Sequence, residues 1–112
     1  MAEYRLNRKL VLEEADRVPD GAGGWNETWV VLGTLWADLR ARTGRETGGE
    51  AVSLSLTGYR IVVRAAPYGT ASRPRPGQRF RDGARIFEIV AVADTDATRR
   101  YLTCFAEEEV AK

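Results

Sequence analysis

The chain has 112 residues, 44% apolar and 29% charged, with a net charge of +1, which fits one soluble globular domain and gives no global field for nucleic acid or membranes. Histidine is absent, so the commonest general base, physiological-pH switch and metal ligand are all missing. The single cysteine, Cys104, excludes an internal disulfide and a Cys-rich zinc site.

Residues 4–14 read as a first strand with Leu6, Leu10 and Leu12 on one face. Residues 15–24, with Pro19, Asp20 and three glycines, read as a loop. Residues 25–33 are aromatic and β-branched, which favours a strand; Trp25, Glu27, Trp29 and Val31 share one face. Gly33 marks a bend before a further strand over 35–41, in which Ala37 and Leu39 oppose Trp36, Asp38 and Arg40.

Residues 43–50 are polar and glycine-rich and read as an exposed, mobile loop. Alternation at Val52, Leu54 and Leu56 gives a strand period, with a short helix over 46–56 as the alternative. Tyr59, Ile61 and Val63 alternate with Arg60 and Arg64, the mark of a half-buried strand. Residues 67–78, rich in proline and glycine, form a loop of partly extended character.

Asp82-Gly83 between two strand-like runs, 79–81 and 84–92, is the strongest hairpin signal and predicts a type I′ turn. Residues 93–98 are a second turn region, and 99–106 the last strand, with Leu102 and Cys104 opposing Tyr101, Thr103 and Phe105. Residues 107–112 read as a frayed, solvated tail. This is an all-β chain with at most a minor helix. So many short strands must close into a small β-barrel or a two-sheet sandwich with long loops to hide their edges.

No catalytic constellation is visible: without histidine, and with no S-x-x-K pattern, no serine or threonine has an activating partner. Asp94 and Asp96 resemble the start of a calcium loop, but the required glycine and distal glutamate are missing. Cys104, on an apolar strand face, reads as a buried structural thiol. The expectation is therefore no enzyme, no cofactor and no metal. Residues 1–12 are charged throughout, so no signal peptide is expected, and no apolar run approaches the ~20 residues of a membrane span.

Fifteen arginines against two lysines suit bidentate pairing with carboxylates at interfaces, with codon bias as the alternative. Trp25, Trp29 and Trp36 are either interface anchors or core; core is the preferred reading for Trp36, and Trp25, beside the glycine loop, stays open. Arg60 and Arg64 share a strand face and could pair with Glu88 or Asp38. Arg73, Arg75 and Arg79 belong to an Arg-Pro segment that either orders on a partner or is simply solvated.

The ordered series Trp36-Ala37, Gly44-Arg45-Glu46, 59–64 (YRIVVR), 85–89 (RIFEI) and 102–104 (LTC) closing on Glu107 resembles the head–tail adaptor or head-closure family of tailed bacteriophages and gene transfer agents. The Arg-rich opening strand, the glycine loop at 20–24, and Trp25 and Trp29 ahead of Trp36 agree with it. The resemblance implies a β-barrel that assembles in the bacterial cytoplasm into a homo-oligomeric ring, six- or twelve-fold, in the neck of a particle. It implies a portal or adaptor protein on the head side and a tail terminator or tail tube protein on the tail side. Double-stranded DNA would pass through the lumen without sequence specificity, and no membrane is involved. On this reading Trp25, Arg45, Glu46, Arg60, Arg64, Arg73, Arg75 and Arg79 are the interface residues, and the 43–50 loop gates the lumen or contacts the next ring. The competing reading is an OB- or SH3-like barrel that binds single-stranded nucleic acid through Tyr59, Tyr68 and Phe80 near arginines.

Overall fold

The computed structural model describes residues 4–42, 56–95 and 97–109. Among them are six strands, β1 (Arg8–Pro19), β2 (Trp25–Ala41), β3 (Leu56–Arg64), β4 (Arg79–Asp82), β5 (Arg85–Asp94) and β6 (Tyr101–Glu109), and no helix. All neighbours are antiparallel, and the order β1-β2-β3-β6-β5-β4 closes on itself through β1–β4 pairing. Of the two architectures the sequence allows, the barrel forms, and closure removes the sheet edges over its length.

Strand alternation fills the interior with Leu10, Leu12, Ala37, Ile61, Val63, Phe80, Phe87, Ile89, Leu102, Cys104 and Ala106. The Phe87 ring meets Tyr59 edge-on, 5.1 Å between centroids, which is a favoured aromatic geometry. Two ion pairs lie at one end of the barrel: Arg85 Nε donates to Glu108 at 2.8 Å and Arg8 meets Asp82 at 2.6 Å. Arg85 also donates to the Tyr59 hydroxyl at 3.1 Å and lies 4.9 Å from the Phe87 ring, so its planar charge packs on aromatic surface.

Several sequence expectations need correction. β1 starts at Arg8, and β1–β2 pairing runs out to Pro19↔Trp25, so 15–19 are strand and only 20–24 form the connecting turn. The strong strand formers of 25–31 carry the weaker ones of 15–19 into the ladder. Gly33 does not divide two strands. β2 is continuous, and the irregularity is a bulge: Leu12 pairs with Gly33 and Glu13 with Val31, which leaves Leu32 as an extra residue.

The β4–β5 hairpin forms one residue later than Asp82-Gly83 suggests. Asp82 pairs with Arg85, and the central residues are Gly83 and Ala84. Only Gly83 has a positive φ (63°), the pattern of a type II′ turn, with glycine first, and not type I′. The loop, helix and strand alternatives over 43–55 lie outside the described residues, as does Asp96.

Candidate interaction surface

β4 pairs with β1 only at residues 11–13, and β3 pairs with β2 only from Ala37 onward. Beyond those points β1 and β2 continue alone for six residue pairs, Glu14↔Val30 to Pro19↔Trp25. They form a two-stranded arm that reaches ~20 Å past the barrel. It leaves from the end opposite the Arg8–Asp82 and Arg85–Glu108 ion pairs. Its tip is a built turn: the Asp20 carboxylate accepts N–H groups of Ala22 (2.8 Å) and Gly24 (3.0 Å), and Gly21 and Gly23 take positive φ. These backbone N–H groups hold the Asp20 carboxyl below its ordinary pKa.

Isolated two-stranded ribbons are marginal in water. The root of this one is braced on both faces. On the outer face Glu13, almost wholly buried, accepts from Arg79 Nε at 2.7 Å and Arg81 Nε at 2.8 Å. Burial pushes the Glu13 carboxyl up, but the two guanidinium bonds and charges outweigh it and hold the group below its ordinary pKa. The Arg79 guanidinium in turn stacks on the Trp29 ring at 3.9 Å. On the other face Glu14 accepts from Arg75 (2.8 Å) and from Gln78 (3.0 Å). Past these braces the arm is exposed, with Val18, Val30, Val31 and Trp25 (64% exposed) open to solvent.

The bulge has a further effect on the tryptophans. Trp25 and Trp29 are odd-numbered and Trp36 is even, so a regular strand would send them to opposite faces. The extra residue at Leu32 resets the alternation and puts all three on the outside of β2. Trp36 is 53% exposed beneath Lys9, so it is surface and not core.

The predicted interface residues therefore separate into groups. Arg75 and Arg79 are brought together at the arm root, where each is held by an arm carboxylate. Arg73 donates to the Ala66 carbonyl and stacks on Tyr68 at 3.8 Å. With Pro74 buried and local hydrogen bonds along 67–78, this segment is already folded without a partner. Trp25 stands apart at the tip. Arg60 and Arg64 are exposed on β3, and neither pairs with Glu88 or Asp38. Asp38 is taken by Arg40 (3.0 Å) and by the Arg5 N–H. Arg45 and Glu46 lie outside the described residues. The roles of Glu13 and Glu14 were not visible in the sequence; an acidic pair at the end of an apolar strand was the available signal.

The nucleic-acid reading loses its platform. Phe80 is fully buried and Tyr59 packs on the barrel interior, leaving Tyr68 alone exposed of the three proposed stacking rings. Burial pushes the Cys104 thiol up to about 12, so it is inert in the folded chain. Among the described residues no group of three or more carboxylates, cysteines or histidines lies close enough to hold a metal.

A phage head completion protein family model matches residues 1–109. The chain is similar to a chain in the solved virion of a native gene transfer agent particle, at 57% identity, 98% coverage of this chain, 100% of that chain and a TM-score of 0.82. A second solved structure, protein SF1141 from Shigella flexneri 2a, covers both chains fully at 23% identity and a TM-score of 0.69, a likeness of fold. No curated protein sequence matches the chain. With a match over nearly its whole length, the chain belongs to the phage head completion protein family, whose members serve structurally in closing the head of the particle.

Proposed function

We propose that the chain is a non-enzymatic connector in the neck of a tailed phage or gene transfer agent particle. It forms a closed ring beneath the portal, extends and closes the DNA channel, and docks the tail. The observation that carries this reading is the arm: a two-stranded projection, braced at its root by Glu13 and Glu14, that presents Trp25 and three valines to solvent. A projection held firm at one end and bare at the other is built for protein contact. The barrel itself is filled, so the described residues offer a scaffold with attached contact elements.

Ring formation needs contacts between unlike surfaces of identical copies. Trp25, Arg60 and Arg64 are the outward candidates for them, and Arg45 and Glu46 are further candidates on the family resemblance alone. Arg73, Arg75 and Arg79 serve indirectly, by fixing the arm and the 67–78 segment. A near-neutral chain suits a channel through which double-stranded DNA must slide without being held, since phosphate affinity grows with each paired cation. The head-side partner is a portal or adaptor protein, the tail-side partner a terminator or tube protein, and the ring has six or twelve copies.

The test is removal of the chain from a particle-producing strain, with complementation by the wild type. Heads made without it should lose packaged DNA to nuclease and carry no tails in electron micrographs. Tailed, nuclease-resistant particles in its absence would overturn the proposal.

A further inference from the structure

Beyond the root braces the arm is held only to itself among the described residues: Arg17 meets Glu27 at 3.7 Å and the Thr28 hydroxyl donates to the Asp16 carbonyl. Residues 15–31 carry Asp16, Asp20 and Glu27 against the single cation Arg17, a net charge of −2, together with the exposed Trp25. On the barrel's outer wall lies a shallow, open groove of about 470 Å³ lined by Leu6, Asn7, Trp36 and Arg64. Trp36 and Arg64 are neighbours there, since Ala37↔Val63 is the adjacent pair of the β2–β3 ladder. Arg64 is exposed, with no carboxylate partner among the described residues. One chain thus carries an acidic projection tipped with an indole and a basic, mainly apolar recess.

The two cannot meet within one molecule. Trp25 and Trp36 lie on the same extended strand, 11 residues apart, which at ~3.3 Å per residue keeps them about 36 Å from each other. We infer that the arm tip of one copy docks into the Leu6–Trp36–Arg64 groove of the next copy, with Trp25 on the apolar floor and the arm carboxylates facing Arg64. This rests on the ring reading above and supplies its interface. Because projection and recess are different surfaces, the contact is heterologous, the kind that propagates around a closed ring. An aromatic in a pocket with charged groups around it is also the usual anatomy of an interface hot spot.

The test is cysteine cross-linking in assembled particles carrying Asn7→Cys with Asn26→Cys. Cys104 is buried and does not contribute background. A short bis-maleimide should yield a ladder of multiples of the chain mass on a denaturing gel, and neither single variant should. Averaged electron micrographs of the necks of wild-type particles report the ring independently, which amine cross-linking would not with two lysines in the chain. A ring without a cysteine ladder, or a cysteine adduct to a different protein, would overturn arm docking and leave the ring standing. Neither a ring nor a ladder would overturn both. Should the double variant fail to assemble, Trp25→Ala and Arg64→Glu give a second measure. Each should lower the yield of finished, DNA-filled particles at least tenfold while the isolated chain keeps its melting temperature; an unchanged yield refutes the docking.

Discussion

Replacing Glu13 by glutamine tests whether the arm root is held by charge. Glu13 has a 5% exposed side chain and binds two guanidinium groups, Arg79 at 2.7 Å and Arg81 at 2.8 Å; the arginines are 16% and 37% exposed. Glutamine keeps the shape but offers one acceptor, and its amide N–H₂ faces a second donor. Removing one partner of a fully buried ion pair costs about 3–5 kcal/mol, and a hydrogen bond to a charged group is worth about 1.5–3. Since Arg81 can turn to water, the lower part of this span applies, about 2–3 kcal/mol. At roughly 4 °C per kcal/mol for a domain of this size, the melting temperature should fall about 8–12 °C.

The pH dependence follows from the same group. Glu13 titrates below its ordinary value in the folded chain, so its contribution is present above the unfolded pKa and is lost as pH falls through the folded one. The gap between wild type and Glu13→Gln should therefore be full at pH 7 and shrink below the ordinary glutamate value of 4.5. Thermal unfolding followed by circular dichroism from pH 7 to pH 3 measures both. A variant that melts within ~2 °C of wild type at pH 7, or a gap independent of pH, would refute the bracing argument.

Gly83→Ala should cost about 1–2 kcal/mol because its φ of 63° disfavours a side chain, while Gly33→Ala, with a negative φ and nothing near its Cβ, should be close to neutral; urea unfolding of the pair compares them. Arg85→Lys keeps the charge but loses the two-pronged contact with Glu108 and the bond to Tyr59, and should lower stability by about 1 kcal/mol once solvent screening of the part-exposed guanidinium is allowed for. Cys104 should resist a thiol reagent in the native chain at pH 8 and react at once in denaturant; rapid native labelling would show that the barrel opens.

Strand faces were legible because period-two alternation is a local property. Leu10 and Leu12, Ile61 and Val63, and Leu102 and Cys104 all point inward as their spacing requires. What could not be read was anything set by the partner strand. Residues 15–19 contain a proline and two charges and look like loop, yet they are paired because β2 supplies a strong strand opposite them. Of the arginines chosen as outward contacts, Arg75 and Arg79 turned inward on Glu14 and Glu13, acids that are 61 and 66 residues away in the chain. Composition signals that arginines will bind carboxylates; it does not say whose.

The bulge at Leu32 shows why such distant effects matter for function. A single extra residue shifts the alternation of everything beyond it, so the odd-numbered Trp25 and Trp29 and the even-numbered Trp36 emerge on one outer face. Without the bulge, a strand that kept Leu35, Ala37 and Leu39 in the core would turn Trp25 and Trp29 to the arm's other face, away from Arg79. The Trp29–Arg79–Glu13 stack that steadies the arm would then be lost. The bulge thus reconciles two demands on β2, a filled barrel at one end and a braced projection at the other. Deleting Leu32 would remove the extra residue itself, so Gly33 would still meet Leu12 and Val31 would still meet Glu13; such a variant should keep the barrel core, the stack and the direction in which Trp25 is presented.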